Sequence, residues 1–203
     1  RFEEVRPPAQ TGRKRRLNTG GADFSPDGRQ LFWSAGENGS VLVYETATRQ
    51  LAAEIPLNTT LGSEKFADSY VVDVKASPDG RHVFCADVAN FRVAVIDVAA
   101  RKQVASVKVG RYPYALTLAG DRLFVANIGL FEYSAIPATD DPRYDRRGLT
   151  RPAFGFPSKE ASEGVEFEGR KVPGLGEPNV PESFSVWSLD VSRPDQPVVV
   201  NRW

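Results

Sequence analysis

The chain has 203 residues, in which 26 Lys and Arg balance 26 Asp and Glu to a formal net charge of zero. It therefore lacks the basic excess of a nucleic-acid-binding domain, and no apolar run approaches the ~20 residues that cross a bilayer as a helix. A single cysteine excludes an intrachain disulfide, and a single histidine excludes metal sites built on several histidines.

Residues 1–17 read as a lead-in. Pro7-Pro8 discourages regular structure, and the basic run Arg13-Lys14-Arg15-Arg16 has no interleaved aromatic platform, so it reads as a solvated approach rather than a nucleic-acid site. A chain opening on Arg1 is expected to be a processed or excised piece. Gly20-Gly21 then suits a strand that another backbone approaches closely.

A repeated unit follows. Ser25-Pro26-Asp27-Gly28-Arg29-Gln30-Leu31-Phe32 recurs as Ser77-Pro78-Asp79-Gly80-Arg81-His82-Val83-Phe84, 52 residues later (Leu31 to Val83). A weaker copy, Leu118-Ala119-Gly120-Asp121-Arg122-Leu123-Phe124, comes 40 residues after that (Val83 to Leu123). In each strong copy proline pre-sets φ, aspartate can close an Asx bond and glycine tolerates positive φ, which predicts a hairpin turn. A second strand leaves each turn (Leu31 to Ala35, Val83 to Ala86, Leu123 to Ala126), and a third follows at Val41 to Tyr44, Val93 to Ile96 and Val186 to Leu189. The first two third strands are apolar on both faces and need cover on both sides. A polar turn and a fourth, outermost strand complete each unit, at Leu51 to Leu57, Val104 to Val109 and Val198 to Asn201. A period near 40 residues built from four strands predicts a propeller blade; the alternative is a β-sandwich with similar hairpins. The expected fold is thus all-β, a partial propeller of about three four-stranded antiparallel blades: blade 1 about residues 18–57, blade 2 about 70–109, and blade 3 about 112–203 with an insertion at about 130–182.

Leu123-Phe124-Val125-Ala126-Asn127, Val95-Ile96-Asp97 and Val109-Gly110 before Tyr112-Pro113-Tyr114-Ala115-Leu116 resemble the repeat of bacterial YVTN-type (YncE-like) β-propellers. The resemblance covers roughly residues 22 to 129 and 183 to 203, and Trp33-Ser34-Ala35-Gly36 departs from it. It implies a periplasmic or secreted location. More loosely, Phe154-Gly155-Phe156-Pro157-Ser158 and Val172-Pro173-Gly174-Leu175-Gly176 resemble an insertion in propellers that precede an alkaline-phosphatase-type phosphoesterase domain, which implies a catalytic partner domain outside this chain.

A closed propeller needs about 4 to 8 blades, so further blades after Trp203 are expected to cover Val41 to Tyr44 on one side and the third blade on the other. Blade topology also identifies a working face. Both lengthened segments, Asn58 to Tyr70 between blades and Ile128 to Ser183 within blade 3, belong to connections at the same end of the strands. Loops longer than ~15 residues are uncommon unless functional or disordered. The insertion is rich in aromatic residues, prolines and glycines, so it is expected to be ordered and mostly irregular, with one short helix near Ser158 to Glu163.

No catalytic constellation stands out. Cys85 lies inside a strand and is expected to be buried and inert, and His82 to be a surface residue. Asp140, Asp141 and Asp145 lack calcium-loop spacing and alternate with Arg143, Arg146 and Arg147. Two functional classes remain. One is a non-catalytic binding module, with no cofactor, that presents the long-loop face to a ligand, a protein partner or further domains of the same polypeptide, with neither nucleic acid nor a membrane span involved. The other is a lactonase-like or quinoprotein-like enzyme using a metal or cofactor in the central channel. The candidate face residues are Asp68, Tyr70, Asp73, Arg111, Tyr112 and Tyr114. Asp73, between two valines on an innermost strand, needs channel solvent or a partner such as Arg111.

Overall fold

The structure is a computed structural model, and it describes residues 20–67, 69–129, 163–167, 170–173 and 181–203. Three four-stranded antiparallel sheets carry the fold. The first holds β1 (Ala22–Phe24), β2 (Gln30–Ser34), β3 (Ser40–Glu45) and β4 (Gln50–Pro56). A small hairpin, β5 (Thr60–Leu61) with β6 (Glu64–Lys65), occupies the connection to the second sheet. That sheet holds β7 (Val71–Ala76), β8 (His82–Asp87), β9 (Arg92–Asp97) and β10 (Lys102–Lys108). The third begins with β11 (Pro113–Ala119) and β12 (Arg122–Asn127) and, after the insertion, ends with β15 (Ser185–Asp190) and β16 (Val198–Arg202). Within the insertion β13 (Gly164–Phe167) pairs with β14 (Arg170–Pro173), a hairpin that the sequence reading did not locate within a mostly irregular segment. Residues 158–162 of the expected short helix lie outside the described residues.

The turns form by the chemistry of their side chains. The Ser25 hydroxyl donates to Asp27 Oδ1 at 2.6 Å, the same oxygen accepts the Arg29 N–H at 3.1 Å, and Gly28 holds φ at 68°. In the second copy Ser77 donates to Asp79 Oδ1 at 2.6 Å, the Arg81 N–H follows at 3.0 Å, and Gly80 sits at φ 70°. These bonds to the charged form hold the Asp79 carboxyl well below the usual range, the Ser77 hydroxyl contributing most.

Side-chain alternation explains the apolar strands. In β8, Val83 and Cys85 pack against the first sheet with Phe32, Val41 and Val43, while Phe84 and Ala86 pack against the third with Leu123, Val125 and Trp187. β9 divides in the same way, Ala94 and Ile96 to one neighbour and Val93 and Val95 to the other. A middle sheet covered on both faces must be apolar on both, and Cys85 is fully buried within it, its thiol pushed up by desolvation. On the far face of the first sheet Leu42 and Tyr44 are buried beside Leu31, Trp33 and Leu51.

The innermost strands β1, β7 and β11 lie side by side. The Gly21 N–H donates to the Val72 carbonyl at 2.6 Å, and a Cβ on Gly21 would stand 2.0 Å from Asp73 Oδ1, so this contact requires glycine. The three sheets are blades of a partial ring.

Candidate functional site

Sheet order places the connections β4–β7, β8–β9, β10–β11 and β12–β15 at one rim of the arc and the Ser-Pro-Asp-Gly turns at the other. The long-loop rim is anchored by a buried polar cluster that sequence reasoning missed. Asp87 ends β8, Arg92 begins β9, and the two are direct register partners. Their side chains are 0% and 2% exposed, and Arg92 Nε meets Asp87 Oδ2 at 2.7 Å. Arg92 Nη2 also donates to the Leu57 carbonyl at 3.0 Å, and the guanidinium lies 3.5 Å above the centre of the Phe66 ring. Asp87 accepts two further bonds, from the Tyr70 N–H at 3.0 Å and Asn90 Nδ2 at 2.9 Å. Asn58 Oδ1 accepts the Ser69 N–H at 2.8 Å. Two buried charges are tolerable only when paired and hydrogen-bonded. The signal in the sequence was Asp87-Val88-Ala89-Asn90-Phe91-Arg92, two opposite charges bounding a short loop between apolar strands.

On that anchored rim the six candidates separate. Asp68 lies outside the described residues. Tyr70 bonds through its backbone to Asp87 and to Val88, whose N–H donates to the Tyr70 carbonyl at 2.9 Å. Tyr112 and Tyr114 stack with ring centroids 6.4 Å apart, and Tyr114 is 53% exposed. The Tyr112 phenol is pushed up to about 12, chiefly by burial and then by Tyr70 and Tyr114 beside it, so it stays neutral across the physiological range. These three tyrosines form one group.

Asp73 belongs to a different contact. The register of β7 on β8 shifts between Val71 and Asp73, a bulge that re-aims the side chain. Asp73 Oδ2 accepts the Leu116 N–H of β11 at 2.7 Å and Oδ1 accepts the Val74 N–H at 2.9 Å. The carboxylate therefore ties two innermost strands together. Burial raises its pKa, and the charges that reach it are Lys75 and Asp23 rather than Arg111. Asp23 repeats the device one blade earlier, its Oδ2 accepting the Ala76 N–H at 3.0 Å. Arg111 points elsewhere, lining a cleft between the second and third sheets with Trp187 and Arg202; its N–H donates to the Glu182 carbonyl at 2.8 Å. Among the described residues no three His, Cys, Asp or Glu side chains gather as a metal-binding group, and no described helix is long and apolar enough to cross a membrane.

Backbone conformation adds aromatic residues to this rim. Five described non-glycine residues have positive φ. Arg49 and Arg101 stand at the short-turn rim, whereas Phe91 (φ 49°), Tyr112 (φ 54°) and Phe184 (φ 42°) stand at the long-loop rim. Phe91 and Phe184 each precede a third strand, the position that Gly39 (φ 63°) fills in the first blade. Bulky side chains in the left-handed region are uncommon.

No protein-family profile matches the chain, and no curated protein matches it. Solved structures do. The structure of U3-55K superposes with a TM-score of 0.51 at 11% identity, covering 94% of this chain and 40% of that one. The fold is a β-propeller. The hydrazine synthase of Kuenenia stuttgartiensis gives a TM-score of 0.48 at 16% identity over 96% of this chain and 53% of that one. The WD40 repeats of RRP9 give 0.43 at 14% identity over 56% and 34%. The propeller described here thus spans about half or less of the length of each of these proteins, and at such identities the likeness is one of fold.

Proposed function

We propose that this propeller is a non-catalytic binding module of a larger, exported polypeptide, presenting its long-loop rim to a protein partner or to a further domain of the same polypeptide. The observation that carries the reading is the division of labour on that rim. Its buried Asp87 and Arg92, with half-buried Asn90, are occupied in holding the connection of residues 57–70, while Tyr114 and Phe184 stand 53% and 67% exposed. Aromatic side chains on a rigid support are the residues that dominate binding energy at protein interfaces. Export rests on the repeat resemblance alone, and a phosphoesterase as the further domain on the looser resemblance of the insertion alone. A photo-crosslinking residue placed at Tyr114 in the full-length protein, and a second placed at Arg29 on the opposite rim, test the proposal in cells. Adducts from Tyr114 alone are expected; adducts from Arg29 alone, or none from either, refute it.

A further inference from the structure

We propose that the cleft between the second and third blades recognises an acidic peptide segment of a partner protein, with one carboxylate side chain held among Lys108, Arg111 and Arg202. This rests on the reading of the long-loop rim as the binding face and names the partner's chemistry. The cleft has a volume of about 250 Å³, and among the described residues it is lined by these three cations together with Phe91, Val109, Trp187 and one acid, Glu182. Lys108 and Arg202 have no carboxylate partner among the described residues, and the Arg202 guanidinium lies 4.2 Å from the Trp187 ring centre, stacked above it.

An unpartnered buried donor points to a ligand. Trp187 is 4% exposed, yet its indole Nε1 finds no hydrogen-bond partner, although buried indole N–H groups usually have one. Phe91, on the opposite wall, has φ 49° at the position that Gly39 fills in the first blade and Phe184 in the third, so a turn shared by all three blades sets its place there. Size narrows the occupant. Pockets for nucleotides and drug-sized ligands run to about 300–1,000 Å³, so this one suits a side chain or two, and guanidinium groups match carboxylates bidentately.

The test uses the full-length protein and fluorescence anisotropy. The probes are a short Gly-Ser-flanked Glu-Leu-Glu peptide, its Gln-Leu-Gln and phosphoserine counterparts, and single-stranded oligothymidine. The expected result is saturable binding of the Glu peptide that weakens with added salt and is absent with the Gln peptide. Lys108→Glu and Arg202→Glu are each expected to reduce it about tenfold or more, with unchanged circular dichroism; Lys108→Gln, a milder change at an exposed position, gives an intermediate loss. Equal binding of the Gln peptide, no saturable binding, indifference to the charge reversals, or tighter binding of the phosphoserine peptide or oligothymidine overturns the proposal. Adducts from Tyr114 without Glu-peptide binding would overturn the cleft assignment and leave the rim reading standing.

Discussion

Removing Asp87 tests whether the rim is built as described. In Asp87→Ala, Arg92 keeps its bonds to the Leu57 carbonyl at 3.0 Å and to Ser69 Oγ at 3.3 Å but loses its only carboxylate, at a site where its side chain is 2% exposed. Orphaning one member of a buried ion pair costs about 3–5 kcal/mol, and the Tyr70 N–H loses its acceptor as well, worth about 1–3 kcal/mol if it stays buried. The two terms share one network and do not simply add, so a loss of about 4 kcal/mol is expected, a large part of the 5–15 kcal/mol that a typical domain has. At ~2–4 °C per kcal/mol for a chain of this size the melting temperature drops by about 10 °C. Urea unfolding followed by tryptophan fluorescence measures the loss, and amide exchange shows where it acts, with protection falling first at residues 57–70. The double variant Asp87→Leu/Arg92→Met removes both charges and is expected to lose less than Asp87→Ala. A single variant within about 1 kcal/mol of the parent, or a double variant worse than the single, would show that the pair does not hold the rim.

Gly110→Ala places a Cβ 2.7 Å from the Asn127 side chain and from the Glu182 carbonyl, and such overpacking is expected to cost about 1–3 kcal/mol in the same unfolding assay. For Asp73, burial raises the folded pKa above the unfolded value, so stability is full below the unfolded carboxylate pKa and falls as pH rises through the folded one. Asp73→Asn should flatten that fall in melting temperature plotted against pH, leaving untouched the opposite trend below pH ~3.8 from carboxyls such as Asp79; an unchanged slope refutes the assignment. Cys85 is fully buried, so its modification by a thiol reagent should track the unfolding rate across denaturant, and rapid labelling of the native protein would contradict the packing.

The blades were legible in the sequence because their signals are local. Ser25 to Gly28 and Ser77 to Gly80 carry turn chemistry whose bonds span only a few residues, and the run Val93 to Ile96 announces a strand buried on both faces. Groups whose partners lie far along the chain were not legible. Asp73 was recognised as a carboxylate in need of a partner, but that partner is a backbone N–H 43 positions away, on the next blade. Asp87 and Arg92 bound a short loop, and only strand register sets them face to face. Phe91 and Phe184 gave no sign of left-handed backbone, because only alignment with Gly39 reveals the position they fill. Of the candidate residues, the three tyrosines stand together, while Asp73 and Arg111 go separate ways for the same reason of distant register.

The pairing of Asn127 with Ser185 has an evolutionary corollary. The detour between them leaves and rejoins the sheet at neighbouring points, so its length enters the free energy of folding only logarithmically. Relative to the short link between Asp87 and Arg92 the added closure entropy is about 2 kcal/mol, within reach of a few extra contacts. Such a doorway lets a lineage graft, exchange or discard whole segments while the interlocked valines and leucines beneath stay as they are.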